Sequence, residues 1–274
     1  ILYARYGFMI VALAWLVLSG IGALPFVISR EIPSYIDAFF ETASGFTTTG
    51  ATIIHDVEAL SHGTLFWRSF THWVGGMGVI VLMMAIIPQE SGTSMYIMKA
   101  EMPGPIVGKL VPRIRQTAKV LYLIYLGLTA LQVFLLCAGG MPIFDSLVHT
   151  FGTAGTGGFG NWNDSIAHYD SAYLQNVISV FMILFGINFN AYFLLLTRKF
   201  KQLFKIEEIR VYLGVIAVFT TLIAFNVRGC FGSLRESFHH SLFQIASIIT
   251  TTGFSTVDFN QWPAFSKLLS LIHI

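Results

Sequence analysis

The stretch Ala43-Ser44-Gly45-Phe46-Thr47-Thr48-Thr49-Gly50-Ala51 returns twice in altered form. It reappears as Gly152-Thr153-Ala154-Gly155-Thr156-Gly157-Gly158-Phe159 and as Ile248-Ile249-Thr250-Thr251-Thr252-Gly253-Phe254-Ser255. The copies align on Gly50, Gly157 and Gly253. Each follows a short apolar run: Tyr35 to Phe46, Pro142 to Ala154, and Phe238 to Ile249. A helix needs about 20 apolar residues to cross a bilayer, and runs of about a dozen fit re-entrant or buried segments. Thr and Gly directly after such a run end a lipid-facing helix. Backbone that leaves the helix at membrane depth is tolerated only where it is buried or lines an aqueous cavity.

The rest of the chain provides the membrane. Of 274 residues, 55% are hydrophobic, 15% aromatic and 11% charged, with mean hydropathy +0.71 and net charge +2. Soluble domains carry about 25% charged residues, so lipid is the implied solvent. An ordinary cytosolic enzyme, a nucleic-acid-binding domain and a disordered chain are all excluded. Candidate spans run from Gly7 to Ser29, Ser69 to Pro88, Val120 to Phe144, Ser171 to Thr197 and Val211 to Val227, and a sixth starts near Trp262. The first is too long for a secretory signal. Cys137 and Cys230 make no disulfide framework and read as buried small hydrophobes.

Basic residues gather in two connections. One holds Lys99, Lys109, Arg113, Arg115 and Lys119; the other holds Arg198, Lys199, Lys201, Lys205 and Arg210. The intervening connections are acidic, with Glu31, Asp37, Glu41, Asp56 and Glu58 in one and Asp145, Asp164 and Asp170 in another. The positive-inside rule puts the basic connections in the cytoplasm, so the short runs enter from outside. Two crossings per unit start every unit on the same side, which makes the repeats parallel. The expected fold is an all-α polytopic membrane protein built from parallel repeats of span, re-entrant pore helix, filter loop and span around a pore. Residues 1–90 form the first repeat, 91–117 a cytoplasmic connection, 118–200 the second repeat, and 201–274 a third repeat truncated in its second span; a fourth repeat is absent.

A dehydrated cation needs oxygen ligands in place of water, and converging backbone carbonyls supply them in channel filters. Glycine permits the necessary dihedrals, and a short helix aims its negative C-terminal end at the ion. The expected ion-binding residues are Thr48, Thr49, Gly50, Gly155, Thr156, Gly157, Thr251, Thr252 and Gly253. Gly155 to Gly160 also matches G-x-G-x-x-G, but a helix-like run precedes it and polar Asn161-Trp162-Asn163-Asp164 follows. A dinucleotide site needs a strand before the motif and a helix after it.

Other polar positions carry narrower expectations. Arg68, at the outer start of a span, reads as an interface anchor or a structural ion pair. His72 reads as a hydrogen-bonded packing residue rather than a proton relay. Gly75, Gly76 and Gly78 permit close helix packing. Asn188 and Asn190 lie on opposite sides of a helical turn, so one faces protein or a pore. His239 and His240 are expected in solvent. No H-E-x-x-H, G-x-S-x-G or Walker A motif occurs, and no enzyme is expected.

Through Ser44 to Thr52, His72-Trp73-Val74-Gly75-Gly76-Met77-Gly78, Gly155 to Gly160, Thr250 to Asp258 and Pro112-Arg113-Ile114-Arg115, the chain resembles TrkH-like subunits of the Trk/Ktr/HKT superfamily. The resemblance covers essentially the whole chain. It implies four span–loop–span units around one pore in the bacterial inner membrane, K⁺ as the transported ion, no organic cofactor, a homodimer and a cytoplasmic TrkA-like nucleotide-binding ring. This chain departs from that pattern in three respects. It holds three such loops, lacks a preceding helix pair, and stops before the glycine- and serine-rich gate loop, so it reads as a fragment. Alternative readings are a Na⁺-coupled or Na⁺-permeable relative, or a non-conducting scaffold that docks a nucleotide-binding protein.

Overall fold

A computed structural model describes residues 4–78, 114–196, 198–199, 202 and 206–271. The described residues are helical, with no strand among them. The first unit comprises α1 (Ala4–Gly22), α2 (Leu24–Ile28), α3 (Tyr35–Phe46) and α4 (His62–Gly76). The second comprises α5 (Ile114–Ala138), α6 (Ile143–Ala154), α7 (Ala172–Phe185) and α8 (Phe189–Leu196). The third comprises α9 (Glu207–Asn226), α10 (Leu234–Ile249) and α11 (Ala264–Leu271). The stretch from 79 to 113, with most of the first basic connection, lies outside the described residues, as do Lys201 and Lys205 of the second.

Local chemistry sets the helix ends. Ser34 caps α3 by accepting the Asp37 N–H at 3.4 Å, Ser61 caps α4 through Thr64, and Ser233 caps α10 through Glu236 at 3.2 Å. Ser233 and Glu236 carry the S-x-x-E signature of a helix start. At the other end of α5, Gly140 has φ 90° while Met141 donates to the Leu136 carbonyl at 3.1 Å. That is a Schellman ending with glycine in the left-handed position.

Three helical stretches are long and apolar enough to cross a bilayer: Met9–Ile28, Lys119–Ala138 and Glu207–Asn226. Their outward faces are apolar; Leu16, Ile21, Leu123, Phe134 and Val211 are all more than half exposed. Apolar surface on that scale belongs against lipid. Each first span packs on the short helix of its own unit: α1 on α3, α5 on α6, α9 on α10. In the first two units the helix after the filter loop packs on two short helices, its own and the next: α4 on α3 and α6, α7 on α6 and α10. This hand-over arranges the units in rotation. Between the second and third units it encloses a core of Leu136, Ile178, Met182, Phe243, Ala246 and Phe254.

Three expectations need correction. Ser171 to Thr197 is two helices, interrupted at Gly186 to Asn188. The Tyr212 and Tyr192 hydroxyls donate to the Ile183 and Leu184 carbonyls beside the interruption, at 3.2 and 2.6 Å, which satisfies backbone there. His239 and His240 are half-buried rather than free in solvent, because α10 starts at Leu234 and carries His239 against α7 and His240 against Phe231. His239 bridges Asn176 Oδ1 at 3.0 Å and Gln175 Oε1 at 2.6 Å, and His240 meets Thr256 at 2.9 Å. Cys230 is exposed in the turn that follows α9, and Cys137 is partly buried; both are free thiols.

Candidate functional site: three turns around a common path

Each short helix ends in the same turn. Thr48 donates to Gly45 and Thr49 to Ser44; Thr156 donates to Thr153 and Gly157 to Gly152; Thr251 donates to Ile248 and Thr252 to Ser247, all between 2.8 and 3.1 Å. These are Schellman pairs, whose left-handed position is ordinarily glycine. Here it is threonine each time, with φ 55° at Thr48, 56° at Thr156 and 59° at Thr251. No other β-branched residue among the described ones has positive φ. Left-handed backbone at a residue with a Cβ costs about 1–2 kcal/mol, and such outliers cluster where function maintains them. Two residues on, φ is positive again, at Gly50 (77°), Gly158 (76°) and Gly253 (83°).

This geometry moves the register of the second copy by one residue. Gly158, not Gly157, matches Gly50 and Gly253, and Gly157 matches Thr49 and Thr252. Gly155 falls opposite Thr47 and Thr250. The first and third turns pair threonine hydroxyls across that gap: Thr47 with Thr49 at 2.8 Å, Thr250 with Thr252 at 2.8 Å. The second turn holds His72 in that space. Its ring stacks on Phe159 with centroids 3.9 Å apart, and a Cβ on Gly157 would collide with it. The additional glycines that produce the false G-x-G-x-x-G match therefore make room for an imidazole.

The turns meet in sequence. A Cβ on Gly50 would collide with the Gly157 carbonyl oxygen, and one on Gly158 with the Thr252 carbonyl oxygen. Glycine here serves both dihedral and close approach. Gly253 meets nothing within 4 Å among the described residues. Glycines of the second spans support the turns in the same rotation: a Cβ on Gly76 would lie 2.6 Å from Gly155 Cα, and one on Gly186 2.8 Å from Thr250 Cγ2.

A buried ion pair ties the first turn to the second. Arg68 Nε lies 2.6 Å from Glu41 Oε1, with side chains 3% and 0% exposed. Glu41 also accepts from the Thr52 hydroxyl at 2.9 Å and the Ile53 N–H at 3.1 Å, beyond the first turn. Arg68 Nη1 donates to the Gly160 carbonyl at 3.2 Å, and its guanidinium lies 3.5 Å from the Phe159 ring centre, beyond the second. Arg68 is thus the structural ion pair of its two expected roles.

The sequence reading missed Glu41, His149 and Gln244 as a set. Each lies seven residues before the left-handed threonine of its unit and is buried behind the turn. That fixed spacing was the available signal. His149 has no hydrogen-bond partner on either ring nitrogen among the described residues.

On the side of the basic connections, a cavity of about 320 Å³ opens below the turns. Thr156, Thr250 and Thr251 line its upper part, while Asn188 and Glu208 line its rim. Asn188 is thereby the asparagine that faces a cavity; the side chain of Asn190 lies outside the described residues. On the opposite face, outside the spans, Asp258 accepts the Asn260 N–H at 3.0 Å, which holds its carboxyl below the usual range.

A family model described as "TrkH: Cation transport protein" matches residues 1–273. The chain is 40% identical to the Trk system potassium uptake protein TrkH of Salmonella typhimurium, over 98% of this chain and 57% of that protein. It is 36% identical to the Trk system potassium uptake protein TrkG of Escherichia coli, over 99% and 57%. The crystal structure of the potassium transporter TrkH from Vibrio parahaemolyticus superimposes with TM-score 0.84 at 34% identity, covering 99% of this chain and 56% of that one. The chain therefore spans little more than half the length of the relatives it matches.

Proposed function

Because the chain belongs to the TrkH family of cation transport proteins, we propose that it forms part of a K⁺-uptake pore in a bacterial inner membrane, with the three turns as the ion path. Thr48, Thr49 and Gly50, then Thr156, Gly157 and Gly158, then Thr251, Thr252 and Gly253 line its narrow outer part, with Gly155 at the inner edge. The observation that carries this reading is the left-handed threonine, held at three equivalent places where the turns converge. Strained backbone built three times over turns carbonyls toward a shared path, as cation selectivity requires. A Cβ on Gly253 meets nothing within 4 Å among the described residues, which is room for the fourth unit that the resemblance implies. The basic connections face the cytoplasm, where a TrkA-like nucleotide-binding ring docks on a homodimer.

The test is Gly158→Ala in the full-length protein, read as Rb⁺ uptake in competition with Na⁺ at matched membrane abundance. The added methyl meets both a left-handed φ and the Thr252 carbonyl. A cost of about 1–2 kcal/mol at the site corresponds to about a tenfold change in preference per 1.4 kcal/mol. Rb⁺ over Na⁺ discrimination falls severalfold; an unchanged ratio at normal abundance removes Gly158 from the path.

A further inference from the structure

Two side chains of α4 hold the residue that follows Gly158. Arg68 and His72 are spaced i, i+4 and so share a face of the helix. The Arg68 guanidinium lies over the Phe159 ring, 3.5 Å from its centre, and the His72 imidazole stacks on that ring at 3.9 Å with 21° between the planes. Two groups that close to one ring centre cannot share a face, so Phe159 is sandwiched between them. In the same register the first unit has Ala51, which offers no ring, and the third has Phe254, which meets His149 edge-on at 5.7 Å. Among the described residues, only the second turn is clamped in this way.

The clamp also takes hold of the backbone. The Phe159 N–H donates to His72 Nδ1 at 3.4 Å. The peptide bond it belongs to is trans, and in a planar trans peptide the N–H and the preceding carbonyl point in opposite directions. His72 is fully buried on α4, behind the turn. An N–H turned back to His72 therefore sends the Gly158 carbonyl away from α4. Glycine populates both signs of φ about equally, so nothing in Gly158 itself keeps that peptide from turning over. The acceptor behind it decides which way the carbonyl points.

We propose that His72 is a positioning residue for ion selectivity: its Nδ1 fixes the direction of the Gly158 carbonyl, while Arg68 and the imidazole hold the Phe159 ring. The inference rests on the reading of the turns as a cation path. It assigns the orientation of one carbonyl ligand to a side chain set behind that path. Filter carbonyls replace the hydration shell of an ion only while they point at it. A neutral imidazole that accepts at Nδ1 carries its proton on Nε2, so the role also fixes the tautomer of His72.

The experiment uses the full-length protein and two variants. His72→Leu removes the acceptor and leaves an apolar side chain; His72→Asn keeps an acceptor oxygen at the place of Nδ1. Rb⁺ uptake is read in competition with Na⁺ at matched membrane abundance. The Rb⁺ over Na⁺ preference falls about fivefold in His72→Leu, within what one hydrogen bond contributes, and stays within about twofold of the wild type in His72→Asn. An equal loss in both variants, or a loss in neither, overturns the proposal. A second measurement uses the unmodified chain. Solid-state ¹⁵N NMR of the histidine-labelled protein in lipid, with the His72 resonances assigned by sequential labelling, shows a bare Nδ1 and a protonated Nε2. A protonated Nδ1 overturns the proposal even if neither variant reaches the membrane. If the wild type has no Rb⁺ over Na⁺ preference while Nδ1 is bare, the reading of the turns fails and the positioning of the peptide stands.

Discussion

Thr156 occupies a conformation that glycine adopts freely and a β-branched residue does not. Replacing it with glycine removes about 1–2 kcal/mol of left-handed strain and adds about 0.5–1 kcal/mol of backbone entropy to be lost on folding. Thr156→Gly is therefore expected to leave the thermal midpoint in detergent unchanged or slightly raised, while Rb⁺ over Na⁺ preference falls. A lowered midpoint with intact preference would show that the threonine stabilises the fold instead. The Glu41–Arg68 pair poses the opposite case. Both charges are buried, so removing one leaves the other uncompensated, at about 3–5 kcal/mol. Arg68→Met is expected to lower membrane abundance sharply, and Glu41→Gln added to it recovers part of the loss. Equal abundance in the single and double variants would mean the pair is not coupled.

Among elements, the second turn differs from its fellows because α4 reaches it with a histidine. A serine at Gly157 does not fail through a left-handed φ, because Gly157 is not among the positive-φ glycines. It fails through contact with the His72 ring instead. Gly157→Ser alone is expected to reduce folded protein in the membrane, and His72→Ala in the same chain restores it by opening the space. Absence of rescue, with His72→Ala alone well folded, would place the clash elsewhere. The short helices themselves were legible: Tyr35 to Phe46 coincides with α3, and the other two runs lie within a few residues of α6 and α10. Apolar composition, serine caps and the Thr/Gly boundary are local signals. The break at Gly186 was not legible, because one glycine in an apolar run does not by itself end a helix.

For the whole molecule, the rotation of contacts makes a quantitative prediction. Gly50 and Gly158 each press on a carbonyl of the following turn, and Gly253 presses on nothing among the described residues. If a fourth turn closes the ring in the full-length protein, Gly253→Ala and Gly158→Ala lose Rb⁺ over Na⁺ preference to the same extent. A much milder Gly253→Ala would mean that face stays open. The exposed apolar faces of α1, α5 and α9 agree with this plan, since they look outward to lipid while the turns look inward.

The sequence by itself determined the solvent, the three short helices and the threefold recurrence, because hydropathy, caps and Thr/Gly boundaries act between residues close in the chain. Only the tertiary structure decided the register of the second turn. Its extra glycine offers two alignments, and the choice depends on which residue meets the Thr252 carbonyl and which meets His72. It also decided that Arg68 pairs with Glu41, 27 residues away in the chain, and that Asn188 rather than a neighbour joins Glu208 at the cavity rim. Such contacts arise from helices packing in rotation, and no local propensity encodes which side chains that packing brings together.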